Sequence, residues 1–132
     1  MPDDKIRRVI ICTGKVYYDL FEEREKRGIN DIYLLRMEQL YPFPKKALTN
    51  ELARVKGAEM VWCQEEPRNM GAWEYASPRL EKVLVGISAS HTRPRYTGRK
   101  AAASPATGQM SLHLAQLAEF LEDALGDGAE NT

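Results

Sequence analysis

Glu65 and Glu66 stand side by side in WCQEEPRNMGAW, residues 62–73, directly after an apolar run and between two tryptophans. Paired carboxylates do acid–base work when their environments separate their pKa values and both face one substrate. Neighbours on an extended chain point to opposite faces instead. The pair therefore reads as structural or interfacial, with Glu66 capping a turn at Asn69–Gly71. The end of a parallel strand is still where such sheets place their binding groups, so one carboxylate has a route into a crevice.

A second candidate is a cluster of cations. Residues 91–100, HTRPRYTGRK, hold Arg93, Arg95, Arg99 and Lys100 without an acid. On a strand, Arg93 and Arg95 fall to one side, and the following SPATG adds the hydroxyls of Ser104 and Thr107 and open amides. Arginine forks, hydroxyls and backbone N–H groups are what a phosphate-like anion needs. The plainer reading is a solvated or ion-paired face. Tyr96 is the only ring in the stretch, too thin for a single-strand nucleic-acid reader. Nineteen basic and nineteen acidic side chains also cancel, which argues against a broad positive field.

Other motifs carry less. CTGK, residues 12–15, has one glycine before a helical pattern, which makes a tight turn rather than a phosphate loop. His91 and His113 have no nucleophile in a recognisable setting, and Ser104 and Ser111 lack a GxSxG elbow; His113 reads as hydrogen-bonded in the first turn of the last helix. Cys12 and Cys63, the two cysteines, lie in apolar runs without CxxC spacing and read as reduced and buried. Core packing has first claim on Trp62. Tyr41 and Phe43 in the proline-bound LYPFP loop, together with Trp73, read as contact residues of an interface.

These groups need a scaffold, and the chain alternates strand and helix patterns. RRVIICTG, residues 7–14, is a β-branched run of the kind buried on both faces of a parallel sheet. KVYYDLFEEREKRG follows with Val16, Tyr17, Leu20, Phe21 and the stem of Arg24 on one side, Thr13 as cap and Gly28 as closing left-handed residue. A second strand is expected at Ile32–Met37 and a second helix through Ala47, Leu48, Glu51, Leu52 and Val55, after Pro42 and Pro44. Glu59–Gln64 forms a third strand. Residues 71–84 are helical, with a kink or break at Ser77–Pro78. A short strand is expected near Arg93–Tyr96, and Met110, Leu114, Leu117, Leu121 and Leu125 mark a last helix ended by Gly126. The rhythm predicts an α/β fold, three layers α/β/α around a mostly parallel sheet.

At 132 residues, 43% hydrophobic and 29% charged, the composition is that of one globular domain. Residues 1–6 read as a linker remnant, 7–126 as the domain and 127–132 as a flexible tail. No run reaches the roughly 18 to 20 apolar residues of a membrane span, and the start lacks a secretory pattern, so a cytoplasmic setting is expected.

Four stretches together, RRVIICTGKVYYDLFEERE, LLRMEQLYPFP, VWCQEEPRNMGAWEYASPRL and YTGRKAAASPATGQMSLH, resemble the carboxyl-terminal domain of the thiamine-diphosphate-dependent first component of bacterial 2-oxoglutarate dehydrogenase. The resemblance covers nearly the whole chain. It implies a transketolase-like carboxyl-terminal domain at the end of a much longer, homodimeric tricarboxylic-acid-cycle enzyme. That enzyme decarboxylates 2-oxoglutarate and passes the succinyl group to the lipoyl arm of the second component, dihydrolipoyl succinyltransferase. It further implies that thiamine diphosphate and Mg2+ bind in other domains, leaving no cofactor, metal or catalytic residue in these 132 residues. The domain would complete the dimer and support the active site, with Tyr41, Phe43, Glu65, Glu66, Asn69 and Trp73 at contacts. Some bacterial relatives bind acetyl-coenzyme A as a regulator through the loop matching SPATGQMSLH, where they carry a lysine and this chain has Ser111. Two other readings stand beside this one: a freestanding module binding nucleotides through CTGK or the arginine loop, and an independent small α/β enzyme.

Overall fold

The computed structural model describes residues 5–66, 68, 70–98 and 110–126, except the side chains of 110–116 and 120. Eight elements follow one another: β1 (Arg8–Cys12), α1 (Val16–Arg27), β2 (Ile32–Arg36), α2 (Lys45–Ala53), β3 (Glu59–Gln64), α3 (Trp73–Gly86), β4 (Arg95–Gly98) and α4 (Met110–Leu125). The strands form one sheet in the order β2-β1-β3-β4, and each neighbouring pair is parallel.

β1 is buried at every residue, as its unbroken apolar run requires of a strand covered on both faces. Its side chains alternate between two cores. Val9 and Ile11 join Met60 and Trp62 of β3 beneath α2 and α3, which contribute Leu48, Leu52, Ala76, Leu80 and Leu84. Ile10 and Cys12 join Val61 and Cys63 beneath α1 and α4, which contribute Val16, Leu20, Leu121, Ala124 and Leu125. The result is the expected three-layer α/β/α arrangement.

Local chemistry accounts for the helix ends. Gly28 takes φ 68° and its N–H donates to the Glu25 carbonyl, while the Ile29 N–H reaches Arg24 O, so the left-handed closure of α1 is as expected. Thr13 does not cap α1: the flanking residue is Lys15, with no side-chain hydrogen bond, because Gly14 at φ 70° turns the chain one residue later. Phe21 is on the outer side of α1, since the buried stripe narrows to Val16 and Leu20. Pro78 does not divide α3. It is the sixth residue of one continuous helix, where it removes a single backbone donor, and the Arg79 guanidinium donates to the Tyr75 carbonyl at 2.7 Å. The fourth strand starts two residues later than expected, at Arg95.

At the amino ends of the strands, charge closes the structure. Arg8 is 1% exposed; its Nε donates to Glu59 Oε1 at 2.7 Å and its Nη1 donates to the Ala124 and Gly126 carbonyls at 2.6 and 2.8 Å. A guanidinium thereby satisfies carbonyls that the end of α4 leaves open, where the helix dipole favours a cation. Arg95 bridges the same Glu59 at 3.0 Å to Asp123 at 3.1 Å, and the Thr97 hydroxyl donates to Asp123. Four elements, β1, β3, β4 and α4, meet in this network.

Burial would raise the Glu59 carboxyl, but hydrogen bonds from Arg8 and Arg95 outweigh it and hold the group below the usual carboxylate range. A carboxyl depressed in the fold contributes stability that is fully present above its unfolded value and is lost as pH falls through the folded one. Urea midpoints should therefore be level near neutrality and fall below about pH 4.5, and this acid-limb loss should shrink in Glu59→Gln. An acid limb unchanged by that substitution would remove Glu59 from the account.

Candidate functional site at the carboxyl edge of the sheet

The chain leaves β1 toward β2 on one side and later returns to place β3 on the other, so the strand order reverses between β1 and β3. In parallel sheets the crevice beyond the carboxyl ends at such a point is where ligands and partners gather. Two turns form it here, Thr13–Lys15 after β1 and the described residues between β3 and α3.

Gln64 organises the second turn. It ends a strand of buried residues and is itself 1% exposed, so its carboxamide must find partners inside the protein. Its oxygen accepts from Trp62 Nε1 at 2.9 Å and from the Trp73 backbone N–H at 3.1 Å. Its nitrogen donates to the Met70 carbonyl at 2.7 Å and the Glu66 carbonyl at 3.2 Å. One side chain thus fixes the loop's start, its end and the first residue of α3. Gly71 is required where the loop passes this amide: φ is 69°, and an added Cβ would lie 3.0 Å from Glu66 Oε1 and 3.2 Å from both Gln64 amide atoms. The turn is thus tied by Gln64, rather than by Glu66 as expected from the sequence; Asn69 lies outside the described residues.

β4 supplies the other wall. Tyr96 donates its hydroxyl to the Glu66 carbonyl at 3.3 Å, and its ring centroid is 5.4 Å from that of Trp73. Gly98, at φ 151°, passes so close that a Cβ would meet the Gln64 carbonyl at 2.5 Å. Arg68 lies over both rings, its guanidinium carbon 5.8 Å from the Trp73 centroid and 5.5 Å from that of Tyr96.

The proline-bound loop after β2 is fastened to the same helix. Tyr75 of α3 donates its hydroxyl to the Leu40 carbonyl at 3.1 Å, and its ring packs on Tyr41 at 4.4 Å and Phe43 at 6.1 Å. Arg79 covers Tyr75 at 3.8 Å. α3 therefore carries both candidate contact regions. Beside this loop a cleft of about 380 Å³ opens along the outer strand β2, lined by residues including Leu35, Met37, Pro44, Leu48 and Glu51.

The candidates fare differently. Tyr41 is 66% exposed and Phe43 half-buried against the core, whereas Trp73 is 9% exposed and belongs to this chain's own core. Glu65 and Glu66 are in the loop, and Glu65 keeps an interaction of its own. Arg93 and Arg95 are not a pair on one face: Arg93 precedes β4 and only approaches Glu81 at 4.0 Å, while Arg95 is held by Glu59 and Asp123 at the opposite edge of the molecule's sheet. Arg99, Lys100, Ser104 and Thr107 lie outside the described residues, as do the side chains of Ser111 and His113.

Cys12 and Cys63 are buried, free and in register on neighbouring strands. Burial pushes the Cys12 thiol up to about 12, against a smaller opposing pull from Arg36, and raises Cys63 well above its ordinary value. Both are held as thiols. Gln64 and Arg68 stand outside the residues that motif and spacing mark as candidates. A glutamine closing an otherwise apolar strand, just before a glycine turn, is the signal that marks Gln64.

The layers, the parallel order and the loop-bearing edge define a carboxyl-terminal domain of the transketolase-like α/β class. The chain belongs to the family described as 2-oxoglutarate dehydrogenase C-terminal, whose model matches residues 1–125. It is similar to the 2-oxoglutarate dehydrogenase E1 component of Brucella anthropi, 74% identical over 125 residues, which is 95% of this chain and 12% of the relative. The E1 component of Brucella ovis is 74% identical over 124 residues, 94% of this chain and 12% of the relative. The chain thus spans about one eighth of the length of these relatives.

Gln64→Leu should cost about 2–4 kcal/mol in urea unfolding, because it strands the Trp62 indole N–H, the Met70 carbonyl and the Trp73 amide in buried surroundings. A loss under about 0.5 kcal/mol would mean that the loop holds its shape without the carboxamide.

Proposed function

We propose that the chain is a non-catalytic carboxyl-terminal module of a longer enzyme that decarboxylates 2-oxoglutarate and delivers the succinyl group to a lipoyl-bearing second component. The observation that carries this reading is one of coverage: nearly all of this chain matches E1 components, and it accounts for only 12% of them. The site agrees with a supporting role. Gln64, Tyr96 and Tyr75 use their polar atoms to hold loops in place.

A decarboxylase of this kind needs an electron sink, which thiamine diphosphate with Mg2+ supplies when bound. Among the described residues no three His, Cys, Asp or Glu side chains are grouped to hold a metal ion. In this reading the cofactor is held by other parts of the polypeptide. The exposed Tyr41, the half-buried Phe43 and the edge carboxylates Glu65 and Glu66 would meet a second subunit, and the cleft along β2 offers the remaining domains a place to pack. Among the described residues no helix is long and apolar enough to cross a membrane.

The alternative, a phosphate-recognising regulatory module such as one for acetyl-coenzyme A, keeps only Arg93 of its described members, whose side chain is 86% exposed. The carboxylates on Arg95 weigh against it.

Supplied with 2-oxoglutarate, thiamine diphosphate and Mg2+, the 132-residue chain should release no carbon dioxide above the blank, and turnover would overturn the reading. In a full-length enzyme carrying this domain, Tyr41→Ala should weaken subunit association by about 1–2 kcal/mol in sedimentation equilibrium. Trp73→Ala should instead lower folding stability by about 3–5 kcal/mol, the cost of emptying a core position. Association unchanged by Tyr41→Ala would take Tyr41 out of the interface.

A further inference from the structure

Arginines elsewhere in the described residues are engaged. Arg7, Arg8, Arg24, Arg27, Arg36, Arg54, Arg93 and Arg95 each approach a carboxylate, and Arg79 donates to a carbonyl. Arg68 is the exception: it is exposed and has no hydrogen bond or ion pair among the described residues. Its guanidinium is nevertheless placed, over the Trp73 and Tyr96 rings.

That placement has a chemical consequence. Contact between a guanidinium and aromatic rings uses the charge and the flat face, so hydrogen-bond donors remain for a partner. The Trp73 ring beneath Arg68 is itself held in the core, 9% exposed. The rings are immobilised from below by Gln64, through the Trp73 amide, and by the Tyr96 bond to Glu66 O. Glu65 and Glu66 are close in sequence, but neither pairs with Arg68. The arrangement is a pre-ordered fork at the crevice where the strand order reverses.

We propose that Arg68 forms a carboxylate-binding site, with the fork, held over the Trp73 and Tyr96 rings, taking both oxygens of one carboxylate. Matching of a planar fork to a planar acceptor favours a carboxylate over a spherical ion such as chloride. The carboxylate reaches the site either on a free dicarboxylate or on an acidic side chain of a neighbouring polypeptide.

The test uses the 132-residue chain in two titrations followed by NMR, one with succinate and one with a capped tri-glutamate peptide, each against sodium chloride at equal ionic strength. Saturable shifts of the Arg68 Nε–H and Trp73 indole signals are expected with at least one probe, and the tighter probe identifies the source. Arg68→Lys keeps the charge and should weaken that binding about tenfold through loss of the fork. Arg68→Ala should abolish it, with near-UV circular dichroism confirming that Trp62 and Trp73 stay packed. Shifts reproduced by chloride, shifts that persist in Arg68→Ala, or no saturable shift with either probe would each overturn the site.

Discussion

The Gln64 carboxamide has two N–H donors and an oxygen that can accept twice, and in this fold every one of them is used within nine residues of chain, on Trp62, Glu66, Met70 and Trp73. The constraint arises because β3 ends inside the protein. A polar group buried without partners costs more than a hydrogen bond returns, so the loop must come back over the strand and bring its own carbonyls and amide to the glutamine. Once it does, the first residue of α3 is pinned, Gly71 is needed at the crossing, and Gly98 is needed where β4 passes. Through α3 the same constraint reaches Tyr75, and so the proline-bound loop bearing Tyr41 and Phe43.

The opposite edge is ordered by charge. Arg8 and Arg95 share Glu59, and between them they hold the carboxyl end of α4 by its carbonyls and by Asp123. Such a network commits the polar groups of that edge to the fold, which is why Arg95 is a poor candidate for a ligand. Division of labour follows: one edge fastens the last helix, the other presents loops. The two are connected, since the presented loops are only as well placed as the layers that carry them.

Much of this was legible in the residues. The parallel layers follow from RVIIC and EMVWCQ, whose unbroken burial leaves no face for water, and from the glycine that closes α1. The resemblance carried in VWCQEEPRNMGAW and its companions is matched by the family over residues 1–125. Pairing of charges was not legible. Arg93 and Arg95 are two apart, and spacing alone places them on one strand face; only the fold shows that Glu59, 36 positions earlier, and Asp123, 28 positions later, already hold Arg95. The same holds for Trp73. An aromatic after a turn looks like an interface anchor until the strand bearing Trp62 and Gln64 is set beneath it. Pro78 misleads in the other direction, because one absent donor does not divide a helix whose apolar stripe is buried along its length.

Loop shape at the carboxyl edge therefore rests on one buried side chain, and with it the surface that this edge presents. Native-state hydrogen exchange at the Trp73 amide tests this most directly. The N–H points at a buried acceptor, so it should exchange only through global unfolding, with an opening free energy equal to that from urea, and in Gln64→Leu it should exchange through local opening. Fast local exchange of that amide in the unmodified protein would contradict the account.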